Sequence, residues 1–190
     1  MKKMSHSLHC FLLLFFVAGL TSTSYSQAIK VYEGAFPVPP ANKAMLFYLQ
    51  RTMNVNTVVY EINYQTDGEV NKKQPVKIYW INYAEDGKTS PLTFMQNKFA
   101  YGIESTLLET EKPTFKINLV SYKKVDIYLR PVGKDGSYQA QVSINGKQSS
   151  LVNIRINIVG GTYLRPIVYD IVLTGKDLET GEKVTEKIKP

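Results

Sequence analysis

Apolar and polar residues alternate with a period of two through most of this chain. Val58, Tyr60, Ile62 and Tyr64 fall on one face and Val59, Glu61 and Asn63 on the other. Phe115, Ile117 and Leu119 alternate with Lys116 and Asn118; Val125, Ile127 and Leu129 alternate with Asp126 and Tyr128. Val152, Ile154, Ile156 and Ile158 alternate with Asn153, Arg155 and Asn157, and Ile167, Tyr169, Ile171 and Leu173 form a further run. Half-buried strands require this period, because successive side chains point to opposite faces. Turn dipeptides separate the runs: Asp67-Gly68, Asp86-Gly87, Asp135-Gly136, Asn145-Gly146, Gly160-Gly161 and Thr180-Gly181. Asn145-Gly146 is the strongest, since a two-residue hairpin turn needs positive φ at both positions. The pattern predicts an all-β fold, an antiparallel sandwich, immunoglobulin-like or similar.

The stretch LFYLQRTMNVNTVVYEINY, residues 46–64, places alternating apolar runs on both sides of a polar knot. Opposing Leu49 to Val58, Phe47 to Tyr60 and Met45 to Ile62 puts all of them on one face and leaves residues 52–55 as a hairpin loop. Asparagines suit such a loop because their side chains bond nearby backbone. Arg51 falls at the rim of the apolar face, where it could take a carboxylate or a ligand anion as partner, although the stretch reads first as a plain turn. Residues 91–100 break the alternation. Ser90 as cap, Pro91 at the first helical position, Leu92, Met95 and Phe99 at helical spacing, and Gly102 as stop predict the one short helix. Residues 36–40, Phe-Pro-Val-Pro-Pro, predict an extended lead-in.

The first 26 residues have another character. Lys2 and Lys3 precede the apolar run FLLLFFVAGL at residues 11–20, which is too short to span a bilayer and is followed by small polar residues. Residues 1–26 therefore read as a signal peptide cleaved after Ser26, with residues 27–190 as a single domain. Cys10 precedes the apolar run, whereas a lipid anchor needs it just after, so soluble export rather than lipid anchoring is expected.

Cleavage changes the chemical inventory. The chain's one Cys and two His are Cys10, His6 and His9, all inside the signal. The remainder can form no disulfide, no histidine or cysteine zinc site, and no cysteine or histidine catalytic centre. No cofactor or metal is expected. The signal carries two lysines and no acid, so the formal net charge falls from +7 to +5. These charges are scattered without a basic stripe, which argues against nucleic-acid binding and leaves association with an anionic envelope surface open.

The hairpin stretch with its Asn-x-Asn-Thr, together with PVKIYWINYAEDG at residues 75–87 and NKFAYGI at residues 97–103, resembles the domain of unknown function 4833 family. That family comprises exported proteins of Gram-negative bacteria. The resemblance, covering roughly residues 36–173, implies export to the periplasm or beyond and one domain; it carries no activity, cofactor or catalytic residue.

Candidate chemistry concentrates in residues 77–83. This strand has large side chains on both faces, Ile78 and Trp80 on one, Tyr79, Ile81 and Tyr83 on the other. Either the helix packs on the second face through Leu92, Met95 and Phe99, or an aromatic groove lies open to a sugar ring or an extended peptide. Arg51, Trp80, Tyr83 and Tyr101 are the candidate ligand-binding residues. Hydrolysis would need a carboxylate pair, with Glu61 and Glu104 the candidates nearest the aromatic region. The expected function is an exported non-catalytic binding or envelope-interaction module for a glycan or peptide. The alternatives are a carboxylate hydrolase such as a glycosidase and a purely structural envelope protein. Export itself is testable: intact-mass analysis of the secreted protein is expected to give a chain starting at Gln27, and the mass of the full 190 residues would contradict it.

Overall fold

The computed structural model describes residues 31–133, 135–162 and 165–190; the expected signal peptide lies outside them. Eleven strands follow in chain order: β1 (Met45–Arg51), β2 (Asn54–Ile62), β3 (Val76–Ile81), β4 (Thr89–Pro91), β5 (Ile103–Glu109), β6 (Thr114–Leu119), β7 (Tyr122–Val132), β8 (Ser137–Ile144), β9 (Lys147–Thr162), β10 (Arg165–Asp177) and β11 (Lys183–Ile188). Between β4 and β5 a short helix, α1 (Phe94–Gln96), continues as one π-helical turn, Asn97–Tyr101. The fold is all-β with one short helical segment, as the alternation predicts. No helix among the described residues is long and apolar enough to cross a membrane.

The strands do not divide into two separate antiparallel sheets. All of them join one sheet, ordered β4-β3-β2-β1-β9-β8-β7-β6-β5, with β10 paired to β9 and β11 to β10, curled as a half-barrel. One pairing is parallel, β1 with β9. The curl originates in β9. Residues 147–150 pair with β8, and from Asn153 to Ile156 β9 pairs with β1, while β10 follows almost the whole strand. One long ribbon thus serves two wings, and their apolar faces meet in a common core. Phe47, Leu49, Val58 and Tyr60 from one wing cluster there with Phe115, Ile117, Ile127 and Leu129 from the other. Phe47 and Tyr60 stack at its centre, with ring centroids 4.4 Å apart.

Bulges at the partner changes alter which residues face inward. Val152 is skipped where Leu151 pairs with Gly175 and Asn153 with Thr174, so Leu151 enters the core and Val152 turns outward. A strict alternation places Val152 inside, and a bulge, which inserts one residue, reverses that assignment. In β10, shifts around Val168 expose Ile167 and Tyr169 while Ile171 and Leu173 stay buried. Near its start, β1 also bulges. Leu46 and Phe47 both face the core, and Met45 opposes Glu61 rather than Ile62. At the other end of β1, Arg51 pairs with Asn54, so the loop is Thr52 and Met53 alone rather than residues 52–55. Asn145 and Gly146 do form a two-residue turn, with φ of 49° and 77°.

The helix begins later than the sequence suggests. Ser90 and Pro91 belong to β4, paired with Trp80 and Tyr79, where an edge strand tolerates a proline. The cap is Thr93, whose hydroxyl accepts from the Gln96 amide while the Gln96 side chain accepts from the Thr93 amide. That reciprocal pair satisfies two amides the first helical turn leaves open, and it outcompetes Ser90 as a start signal.

The inward and outward assignments in β9 yield a direct test. Leu151→Ala is expected to lower the unfolding free energy by about 2–5 kcal/mol, and Val152→Ala by clearly less. Urea denaturation of the two variants measures the difference; the reverse order would contradict the bulge.

Candidate functional site

Three of the four candidate ligand-binding residues converge. Arg51 leaves the end of β1 and lays its guanidinium 4.7 Å from the Trp80 ring centre and 4.9 Å from that of Tyr101. The two rings meet edge to face at 5.0 Å. An Arg51 Nη1 also donates to the Tyr101 hydroxyl. Trp80 Nε1 donates to the Gln96 side chain at 3.2 Å, and the Tyr60 hydroxyl donates to the Tyr101 carbonyl at 2.8 Å. The Arg51 guanidinium thus lies against two aromatic faces, an attraction worth about 1–2 kcal/mol at a partly desolvated site.

This cluster is packed. Trp80 is only 6% exposed, and Tyr60 is fully buried. Burial pushes the Tyr60 phenol far above its ordinary range, with Tyr101 adding to the shift and Arg51 opposing it. Burial also raises Tyr101, again against the pull of Arg51. Both phenols therefore stay neutral at any physiological pH. The helical segment covers Trp80 through Gln96 and Tyr101, and Leu92, just before it, packs against the same core. Met95 and Phe99, expected to pack on the strand, instead point to solvent. The covered face is also the Ile78/Trp80 face, not the Tyr79/Ile81/Tyr83 face assigned from the sequence.

Tyr83 lies apart from the other three. It belongs to the outer face of the wing, where Tyr48, Val59 and Ile81 form a second apolar cluster joined by Met45, Tyr79, Tyr83 and Val152. The proline-rich lead-in crosses this face. The Gln50 amide donates to the Pro37 carbonyl at 2.7 Å, Phe36 lies 5.3 Å below the Arg155 guanidinium, and Pro39 is buried. Between the lead-in and the β3–β4 hairpin a groove of about 280 Å³ remains, with Val59 and Ile81 in its floor, Tyr79 and Tyr83 on its walls, and Pro39 and Asn42 at its side. Glu61 anchors its polar edge, accepting through Oε1 from the Tyr79 hydroxyl at 2.6 Å and from Asn42 Nδ2 at 2.7 Å. Burial, the bond to Glu61 and that carboxylate's charge hold the Tyr79 phenol well above its ordinary range. Sequence alternation identifies Tyr79 and Tyr83. It does not identify Tyr48 and Asn42, although the prolines at 37, 39 and 40 signal an extended segment available to cross a sheet.

The two candidate carboxylates are not brought together. Glu61 points off the outer face of β2, whereas Glu104 sits on β5 in the other wing, exposed and paired with Lys123. A larger open cleft, about 480 Å³, lies at the fork where the edge of β9 passes from β8 to β1. Its prominent charged pair, Lys176 and Asp177, does not converge on it, since Asp177 binds Lys147 and the amides of Glu179 and Thr180. Those bonds also show residues 177–182 to be a charged hairpin turn.

A family model matches residues 47–187, spanning both wings, the covered aromatic cluster and the strand side of the outer groove, but not its lead-in side at residues 39–45. The chain belongs to the family described as Domain of unknown function (DUF4833). No curated protein and no solved structure matches it. Membership in DUF4833 carries no reaction and no ligand, so the geometry of this member is the guide to its role.

Trp80 is the chain's one tryptophan, which makes the cluster easy to read out. Tyr101→Ala removes the edge-to-face partner and the cover from the indole. The expected results are a red-shifted Trp80 emission and a stability loss of about 2–4 kcal/mol. Unchanged emission and stability would show that the ring is not held as described.

Proposed function

We propose that this DUF4833 member is an exported, non-catalytic binding module whose outer tyrosine groove takes a glycan. The supporting observation is the groove's combination of apolar floor, aromatic walls and a fixed polar edge. Sugar rings offer apolar C–H faces to aromatic rings and hydroxyls to carboxylate and amide groups; a groove with both can hold and orient them. Glu61 supports the second task from behind the walls: its Oε1 is tied to Tyr79 and Asn42, which fixes the polar groups of those two lining residues. Glu61 and Glu104 pointing away from each other weighs against hydrolysis by that pair.

A peptide is the second reading, favoured by one observation. The same face already grips an extended, proline-rich segment of its own chain. Export rests on the N-terminal pattern and the family resemblance.

The test is binding of the exported protein to a panel of soluble envelope oligosaccharides and to proline-rich peptides, followed by calorimetry. A binding oligosaccharide is expected to lose at least about tenfold in affinity with Tyr83→Ala, equivalent to about 1.4 kcal/mol, with the melting temperature unchanged. Binding of peptides alone would establish the second reading. No binding by either class, or binding indifferent to Tyr83→Ala, would overturn the proposal.

A further inference from the structure

One corner of the molecule gathers exposed apolar side chains that neither the core nor the groove uses. On the helical segment Phe94, Met95 and Phe99 are 74%, 62% and 58% exposed. Lys98 lies among them, its ammonium 5.5 Å from the Phe94 ring and 5.3 Å from the Phe99 ring. The corner is assembled by bonds to consecutive residues where β1 runs into its turn to β2. Arg51 holds Tyr101 at the end of the helical segment, and the Thr52 hydroxyl both donates to the Ile158 carbonyl and accepts from its amide. Ile158 starts the projecting end of the β9–β10 ribbon, where Val159, Ile167 and Tyr169 are each more than half exposed. The β6–β7 turn joins the corner through the Ser121 hydroxyl, 2.6 Å from the Ala100 carbonyl.

Cations accompany the aromatic rings throughout. Lys124 lies 5.7 Å from the Tyr122 ring, and Lys189 lies 3.3 Å from that of Tyr169 and donates to its carbonyl. Of the nearby acids, Glu104 is paired with Lys123, and Asp170 is buried and accepts from Asn157. This corner is therefore apolar and positively charged, on a chain that is itself basic.

We propose that this corner docks on the surface of an anionic phospholipid bilayer. Exposed apolar side chains ringed by lysines are the composition that seats a protein at a bilayer interface: the rings enter the headgroup boundary and the ammonium groups remain at the phosphates. The shape favours a bilayer over a folded partner. Phe94, Met95 and Phe99 stand exposed on a helical turn, and none of them lines the tyrosine groove or the cleft at the β9 fork. A fluid surface accepts separate projections, whereas a protein partner needs a complementary relief. The proposal is independent of the tyrosine groove, which lies on the outer face of β1–β3.

The test is co-sedimentation of the exported protein with vesicles of phosphatidylcholine alone and of phosphatidylcholine with 30% phosphatidylglycerol. Binding is expected to the anionic vesicles only, weakening as salt rises. The double variant Phe94→Ser/Phe99→Ser is expected to reduce partitioning at least about tenfold, as loss of two inserted rings implies. Its melting temperature should stay at the parent value, because neither ring is buried. Lys98→Glu is expected to weaken binding as well, and Tyr83→Ala to leave it unchanged. Failure to bind anionic vesicles, or binding that survives the double variant, would overturn the proposal. So would association of the free protein into dimers that the double variant abolishes, which would assign the corner to a second copy.

Discussion

The edge of β9 has to be divided between two partners, and most of the architecture follows from that division. β8 occupies its first residues and β1 its middle, so the two wings of the sheet diverge from a common strand and must curl to bring their apolar faces together. A ribbon of β9 and β10 backs both wings, which is why one core contains residues from β1 and β2 as well as β6 and β7. The handover requires the ladder to slip, and the slip turns Leu151 inward and Val152 outward. Strand closure here is achieved by irregularity rather than by repetition.

The first wing is apolar on both faces for the same reason that it contains two aromatic sets. Its inner face needs a seal at the open side of the half-barrel, and Arg51, Trp80 and Tyr101 provide it under the short helical segment. A guanidinium suits that position because it can stack on rings while partly withdrawn from water. Its outer face has no second layer of strands. The proline-rich lead-in covers part of it, and the uncovered part is the groove between Tyr79, Tyr83 and Asn42. Aromatic residues adjacent in sequence thus serve opposite ends, because alternation sends Trp80 into the core and its neighbours Tyr79 and Ile81 outward.

Glycan capture in that groove and docking of the lysine-rich corner on a bilayer would be complementary in an exported protein. The first depends on aromatic walls with one fixed carboxylate, the second on exposed apolar projections accompanied by lysines. Neither calls for the thiol or imidazole chemistry that the chain lacks beyond its first ten residues.

The sequence alone determined the class of structure, because period-two alternation and glycine turn dipeptides are local properties that each strand and hairpin must obey. It also determined the core positions at Val58, Tyr60, Phe115, Ile117 and Leu129, and the family. The half-barrel, in place of two stacked sheets, was decided only by tertiary structure, since which strand takes the remaining edge of β9 is a contact between residues a hundred positions apart. The same holds for the candidate site. Alternation assigns Trp80 and Tyr83 to opposite faces, but it cannot say which face the helix covers. That was settled when the Thr93–Gln96 capping box delayed the helix start, placing Gln96 and Tyr101 on Trp80 and leaving Met95 and Phe99 in water. Periodicity records that a side chain needs burial; only the assembled chain determines what buries it.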